Sequence, residues 1–545
     1  MVNKMKIIIL FIPFILILLF NEKFISKENI LNATKLKNPT VMEEGCFECH
    51  EEIKELYKGQ KHSKQNCTSC HNYLQQHLDD PDKKPLTNLE ISNCGRCHRE
   101  QYESYFHVNL ESKAKVEKST TTSRSPLFDK LLSPHGFTKE HAEPRSHAFM
   151  FIDFLTVDRA FGGRFYLKSW ENILKPAKAW EILADRESTS NVQKTFLSQT
   201  AIAANPTCFS CKTSDHILNW KYKGEPSENA KWSRTSNVVD MARNTHQPMG
   251  CIHCHDPHST GPRVIRDALI EAIVDRNEGT YPYDKEKSKT VTVKKIMFRD
   301  FRAIGLLNKK DSNVLCAQCH VEYNCNPGID TRSSSQVTKA DPRTNIFPWV
   351  NVFDYNKKME ELNFKDFKHA TTGTFLSKIQ HPETEVYWGS KHERAGVECK
   401  HCHMPTVKKG KKTYTWHGQK SSRYMTKETC LNCHTYWTEK EAEYQIDAIQ
   451  NYIRGKMRKA ENWLAKLIDT YQRAKDFGVP DSVLQKARRF HTDAHTLWEW
   501  WTAENSDGFH NPDQARKSLT LSIDYSQEAI KLLETEIEKR KNVGN

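Results

Sequence analysis

The residues with the clearest chemistry are the cysteines, and their spacing is uniform. Sixteen of the 17 fall in C-x-x-C pairs: Cys46/Cys49, Cys67/Cys70, Cys94/Cys97, Cys208/Cys211, Cys251/Cys254, Cys316/Cys319, Cys399/Cys402 and Cys430/Cys433. Seven pairs are followed at once by histidine: His50, His71, His98, His255, His320, His403 and His434. C-x-x-C-H is the attachment pattern of c-type haem. Its sulfurs form thioethers with the vinyl groups, and the next residue supplies an axial imidazole to the iron. Tetrahedral zinc fits poorly, because adjacent Cys and His side chains do not easily reach one metal ion. A disulfide framework has no use for histidine at that position. The sequence therefore predicts eight covalently bound c-type haems.

The fourth pair departs from the rest: Cys208-Phe209-Ser210-Cys211 is followed by Lys212. An amine ligates iron only when neutral, so burial and the metal must lower its pKa. That haem is set apart from seven similar ones. If those seven are six-coordinate, the eighth can keep an open face for substrate. Eighteen other histidines are available as distal ligands. The candidates are His62, His107, His135, His147, His246, His258, His392 and His417. His62 and His246 each stand five residues ahead of a cysteine pair, and His392 stands seven ahead of Cys399.

The rest of the chain must position these groups. Its 545 residues are 37% hydrophobic, which excludes a polytopic membrane protein, and 12 Trp argue against disorder. A net charge of +13 could point to nucleic acid. Eight haems, with two propionates each, would outweigh that charge, so no nucleic-acid partner is expected. The porphyrins would also supply apolar core. Residues 1–24 carry Lys4 and Lys6 ahead of an apolar run from Ile7 to Phe20. That pattern reads as an export signal or an N-terminal anchor, placing the chain in the periplasm or an equivalent oxidising compartment.

The expected domains are a polar tether at 25–45, an N-terminal trihaem domain with a haem-free insertion at 46–207, a catalytic pentahaem core at 208–434 and a C-terminal helical domain at 435–545. Thr438 and Glu441 form a capping box opening a helix over 442–475. Gly478-Val479-Pro480-Asp481 breaks it, and two more helices follow over 482–504 and 512–541, the last with Asn511 as cap and Pro512 at its first position. No strong strand alternation appears. The fold class is mainly α: a haem-packed core with a C-terminal long-helix bundle, the bundle structural or oligomeric rather than catalytic.

Residues 208–434 resemble the core of pentahaem cytochrome c nitrite reductases. The matching pieces are C-x-x-C-K at 208–212, CAQCHVEY at 316–323, KIQHPE at 378–383 and HERAGVECKHCHMP at 392–405. Three further haem sites ahead of them make an octahaem protein. PHGFTKEHAEPRSH and ENSDGFHNP look like either octahaem nitrite reductases or hydroxylamine-oxidoreductase-like proteins. Lys212 favours the reductases, and so does Cys325, the unpaired cysteine two residues after Tyr323.

The resemblance implies reduction of nitrite to ammonium at the Lys212 haem, with sulfite or hydroxylamine as further substrates. It implies a Tyr323–Cys325 covalent link, proton delivery by Tyr323 and His381, and an anion-binding arginine, Arg159, with Arg164 and Arg145 as alternatives. Gln380 joins the catalytic set. The implied calcium ligands are Glu322, the Tyr323 and Lys378 carbonyls, and Gln380. A quinol dehydrogenase or small cytochrome would be the electron donor, and a homo-oligomer, trimer or hexamer, the assembly. Two other functions are kept: hydroxylamine or hydrazine oxidation, with Tyr436, Tyr444 or Tyr452 as a crosslinking residue, and electron storage without an open iron.

Overall fold

The computed structural model describes residues 45–543 apart from 73, 108–126, 135–145, 157, 162, 170–178, 187–203, 299–300 and 325–327. The chain divides into two compact units, residues 1–87 and 88–545. The first two cysteine pairs lie in the first unit and the other six in the second. In the first unit a short helix, Glu51–Tyr57, follows the first motif, and His71–Asn72 pairs antiparallel with Leu86–Thr87.

Five of the haem motifs close as the same single tight turn. The histidine N–H donates to the carbonyl of the first cysteine at His50 (3.1 Å), His98 (2.9 Å), His255 (3.0 Å), His320 (2.9 Å) and His434 (2.8 Å). This one-turn bond brings two sulfurs and one imidazole to the same side of the backbone. The Lys212 motif closes differently. Its N–H donates to Phe209 at 3.1 Å, one residue nearer, within the 3₁₀ turn Pro206–Cys211. Asn205 caps that turn by accepting from the Thr207 N–H at 3.1 Å.

Short elements surround the motifs. Helix α1 (Met150–Thr156) buries Phe151, Ile152 and Leu155. The sequence reading has no counterpart for one three-stranded antiparallel sheet. It comprises β1 (Arg263–Val264), β2 (Val293–Phe298) and β3 (Arg302–Leu307), with β3 in the centre. Lys294 and Lys295 sit side by side in β2 and break the alternation that would have marked it.

The C-terminal bundle follows its sequence signals. Helix α2 (Glu439–Asp476) opens on the Thr438 capping box: the Glu441 N–H donates to the Thr438 hydroxyl at 3.3 Å, and the Thr438 N–H donates to the Glu441 carboxylate at 2.7 Å. Gly478, with φ +65°, turns the chain into α3 (Asp481–Ala503). Asn511 caps α4 (Pro512–Val543) by accepting from the Gln514 N–H at 3.2 Å. Apolar residues at helical spacing, such as Ile453, Met457, Ala460 and Leu464 on α2, meet Trp498, Trp500 and Trp501 of α3 and Ala515 and Leu519 of α4. The three tryptophans are fully buried. Among the described residues no helix is long and apolar enough to cross a membrane.

Candidate functional site

Two imidazoles on opposite sides of one iron, each bound through nitrogen at about 2 Å, have ring centroids about 6 Å apart. Among the described residues five imidazole pairs meet that spacing; His491–His495 at 6.1 Å involves no haem motif, and the other four are His50–His77 at 6.0 Å, His147–His320 at 6.1 Å, His403–His510 at 6.1 Å and His392–His434 at 6.3 Å. In each of these four, one member follows a C-x-x-C pair. The residues therefore fit c-type haem with bis-histidine ligation. His147 and His392 are among the distal candidates from sequence. His77 and His510 are not, although His510 stands in the ENSDGFHNP segment.

The other candidates are placed as follows. The His417 Nδ1 lies 2.7 Å from the Thr415 carbonyl, and its ring is near enough to His255 to help lower that imidazole's pKa to about 4, a shift due first to burial. The His107 ring packs edge-on against Trp416 at 5.5 Å. The His246 N–H donates to Asp215 at 2.8 Å, and the His258 Nδ1 lies 3.8 Å from Asp256. His62 is half-buried in the first unit. His135 lies outside the described residues.

Several cysteine pairs touch one another. The Cys94 thiol hydrogen-bonds that of Cys251, Cys211 that of Cys319, and Cys316 that of Cys399. Cys254 lies in the electrostatic reach of Cys316, and Cys402 in that of Cys430 and Cys433. Haems carried by these cysteines would form one branched array, with the Cys316/Cys319 site joining the Lys212 site to the rest.

The three N-terminal motifs hold exposed and half-buried cysteines. Their second cysteines stand near the surface: Cys49 and Cys97 are exposed, and Cys70 is half-buried. Each keeps the turn of its own motif, because its N–H donates to the first cysteine of its pair: Cys49 to Cys46 at 3.3 Å, Cys70 to Cys67 at 3.1 Å and Cys97 to Cys94 at 3.2 Å. The local geometry for attachment is therefore present in all three. Glu51–Tyr57, after Cys49, buries no residue, nor does the turn Cys67–Ser69 before Cys70, and the helix Ile91–Gly95 before Cys97 buries only Ile91.

Around Lys212 the fold assembles the distinctive chemistry. The Lys212 Nζ lies 3.3 Å from the Met150 sulfur and 5.9 Å from the Phe154 ring, both on α1. That wall is apolar. The Tyr323 and His381 rings are stacked at 6.5 Å, and Lys212 lies within electrostatic reach of His381. Desolvation pushes the His381 imidazole down to about 4. The ring is therefore neutral at pH 7, and a neutral imidazole still donates through its one N–H.

Arg159 falls in the short helix Asp158–Phe161, and its side chain is outside the described ones, as are Arg145 and Cys325. Arg164 is held by Asp185 at 3.1 Å, and Asp185 also accepts from Arg243 at 3.0 Å. Sequence reasoning missed Arg266. Its buried guanidinium lies near Cys208, Cys211 and Cys319, and its Nε has no hydrogen-bond partner. A buried cation with an open donor suits a haem propionate. The only sequence signal was a charge inside the apolar run after Arg263.

The expected calcium ligands also converge. The Glu322 carboxylate is buried and accepts from the Gln380 N–H at 2.6 Å and the Tyr355 hydroxyl at 3.2 Å. Gln380 Nε2 donates to the Lys378 carbonyl at 3.1 Å. Burial, with Asp366 and Glu385 nearby, holds Glu322 well above the usual carboxylate range. A divalent cation would relieve that excess of buried acid, so the site fits calcium. Among the described residues no three His, Cys, Asp or Glu side chains are arranged to hold a metal ion, so carbonyl and amide oxygens would supply most ligands. Tyr436, Tyr444 and Tyr452 are exposed, Tyr436 almost completely at 98%.

Comparisons with known proteins agree with this geometry. The cytochrome c552 family description matches residues 180–542. The cytochrome c nitrite reductase subunit NrfA of Nitratidesulfovibrio vulgaris is 27% identical over 434 residues, which is 75% of this chain and 68% of that protein. Cytochrome c-552 of Bacteroides thetaiotaomicron is 27% identical over 329 residues, 59% of this chain and 58% of that protein. The match thus spans under two thirds of the length of that relative. A solved structure of the cytochrome c nitrite reductase catalytic subunit of Desulfovibrio desulfuricans, which has two calcium sites, superposes with a TM-score of 0.58 at 22% identity. It covers 82% of this chain and 86% of that one, and it shows the shared fold.

Proposed function

The chain belongs to the cytochrome c552 family, and from that premise we propose that it is an exported octahaem enzyme that reduces nitrite to ammonium. The reaction is NO₂⁻ + 8 H⁺ + 6 e⁻ → NH₄⁺ + 2 H₂O. The observation that carries the reading is Lys212, the one departure from histidine among eight motifs, set in an apolar wall beside Tyr323 and His381. Bound there, haem would supply the iron that takes nitrite and the electrons that reduce it.

The side chains do the rest. Met150 and Phe154 pack against the Lys212 amine. Tyr323 and His381 hand protons to the substrate oxygens; His381, neutral at pH 7, relays a proton rather than storing one. Arg159 is the proposed bidentate partner of the anion. Gln380 and Glu322, with the Tyr323 and Lys378 carbonyls, would hold calcium and so fix the segment that carries His381. Cys325, joined to Tyr323, would lower the phenol pKa and aim its O–H. Seven bis-histidine haems would conduct and store electrons from a redox partner in the periplasm.

The test is EPR of the haem-loaded protein. A high-spin ferric signal that disappears on adding nitrite supports an open iron at Lys212. An absence of high-spin signal would leave an electron-transfer cytochrome, and a P460-type absorption band would point instead to hydroxylamine oxidation.

A further inference from the structure

Resting on the haem reading above, we propose that the loop between α3 and α4 sets the reduction potentials of two neighbouring haems. It would act through two buried carboxylates, Glu383 and Glu504. This gives the C-terminal domain a part in electron delivery beyond the structural one expected from sequence.

An imidazole that binds metal through Nε2 keeps its proton on Nδ1, and the acceptor facing that proton tunes the ligand. At several axial positions the acceptor is neutral. The His403 Nδ1 is 3.0 Å from the Lys420 carbonyl, the His417 Nδ1 is 2.7 Å from the Thr415 carbonyl, and the His71 Nδ1 is 3.2 Å from the Thr87 hydroxyl. At two positions it is a carboxylate. His320 Nδ1 lies 3.6 Å from Glu383 Oε2, and His510 Nδ1 lies 3.6 Å from Glu504 Oε2. Neither contact has closed to a full hydrogen bond, but each lacks a competitor on one side: Glu383 Oε2 and His510 Nδ1 are both buried and have no other hydrogen-bond partner.

One loop fixes both carboxylates. Asn505 donates to Glu383 Oε1 from its backbone N–H at 3.1 Å and from its side-chain amide at 2.6 Å, which leaves Oε2 turned to His320. Glu504 accepts from the backbone N–H groups of Ser506 and Gly508, and His510 closes the same loop. Asn511 ties the far end to the Val386 and Trp388 carbonyls at 3.0 and 3.3 Å, just beyond Glu383 in sequence. The Thr384 N–H donates to the His320 carbonyl at 3.1 Å, so the segment that carries Glu383 grips the histidine it faces.

An anionic acceptor gives the imidazole imidazolate character, which stabilises ferric over ferrous iron and lowers the potential. The two affected sites are neighbours, since the Cys316 and Cys399 thiols are hydrogen-bonded, and Cys319 touches Cys211 of the Lys212 site. Two low-potential haems in line, the Cys316/Cys319 one next to the Lys212 site and the Cys399/Cys402 one behind it, would favour passing electrons onward.

The experiment is a potentiometric titration of full-length, haem-loaded protein followed by EPR and visible absorption, comparing Glu383→Gln, Glu504→Gln and Asn505→Ala. Glutamine keeps an acceptor but removes the charge. Each glutamine variant should raise the midpoint potential of one low-spin haem, a different one in each, and change that haem's g-tensor while the others stay in place. Asn505→Ala should move the same haem as Glu383→Gln, by less, and it remains informative if Glu383→Gln does not fold. Unchanged potentials in Glu504→Gln and in the Glu383 or Asn505 variant would overturn the proposal. The mass of the denatured protein, which counts attached haems, tests the haem reading separately.

Discussion

Among the described residues between Cys208 and His434 the longest helix has eight residues, Tyr355–Leu362. From Thr438 onward three helices of 38, 23 and 32 residues account for almost the whole chain. Helices of four to eight residues are too short to be stable alone, and the segments joining them carry the cysteines and histidines around an apolar cluster that includes Val264, Leu269, Phe347 and Trp349. The bundle does the opposite: it buries Trp498, Trp500 and Trp501 in an apolar cluster built largely from its own helices and completed by Val352, Tyr355, Met359, Phe364, Ile379 and Val386. The contrast teaches that the first region is specified around its cofactors, whereas the second is specified by packing and caps. They meet where the loop before α4 reaches Glu383, so the packed region can set the electronic environment of the cofactor-built one.

The sharpest way to break this comparison is to withhold haem. Full-length chain made without haem attachment should lose protection from hydrogen exchange across 208–434 while α2, α3 and α4 stay protected. Equal protection in both regions would refute the division. Within the cofactor-built region, His381→Ala should slow ammonium formation by about 10²–10⁴-fold, the usual worth of a general acid, with nitrite affinity changed far less. Steady-state rates and nitrite titrations would measure both; undiminished turnover removes His381 from the mechanism. Within the packed region, Trp498→Ala should cost about 3–5 kcal/mol in denaturant unfolding, with the haem spectrum retained.

The boundary between the regions should respond to acid. His369 is buried, its Nε2 is 2.9 Å from the Lys130 carbonyl, and its Nδ1 accepts from the Thr371 and Thr372 N–H groups. Burial lowers its pKa from 6.5 to about 4. The unfolded chain binds this proton more readily than the folded one, so the stability is fully present above pH 6.5 and is lost as pH falls toward 4, at up to about 1.4 kcal/mol per pH unit. Urea unfolding at pH 7 and pH 5 would show that slope, reduced in His369→Asn. The smallest effect is at the start of α2: Thr438→Ala should cost about 1 kcal/mol through the lost cap, visible in thermal melts of the bundle and absent from nitrite turnover.

How far the sequence revealed these features follows from how local their causes are. A haem motif is one turn, so Cys316, Cys319 and His320 could be read without knowing the fold. The same holds for the Thr438 capping box and the Gly478 break, whose causes lie within a few residues. Burial of a motif is not local: Cys49, Cys97 and Cys433 are exposed while Cys319 and Cys402 are half-buried, with the same spacing in all. Axial pairing is not local either: His510 meets His403 because α3 turns into α4 at one place, and no spacing rule carries that information. His77 was missed for the same reason. The β2–β3 hairpin escaped because Lys294 and Lys295 interrupt its pattern. The buried acids around Glu322 were half legible: KIQHPE drew attention to Lys378 and Gln380 through resemblance, while Asp366 and Glu385 had no signal of their own.

The central claim is that Lys212 marks an iron site at which nitrite becomes ammonium. The most direct test uses purified haem-loaded protein with reduced viologen and nitrite, counting nitrite consumed, viologen oxidised and ammonium formed, beside Lys212→His with its haem content verified. The account predicts one ammonium and six oxidised viologens per nitrite, with much slower turnover and an altered high-spin spectrum in the variant. No ammonium from the unmodified protein, or equal rates and spectra in the two, would contradict it.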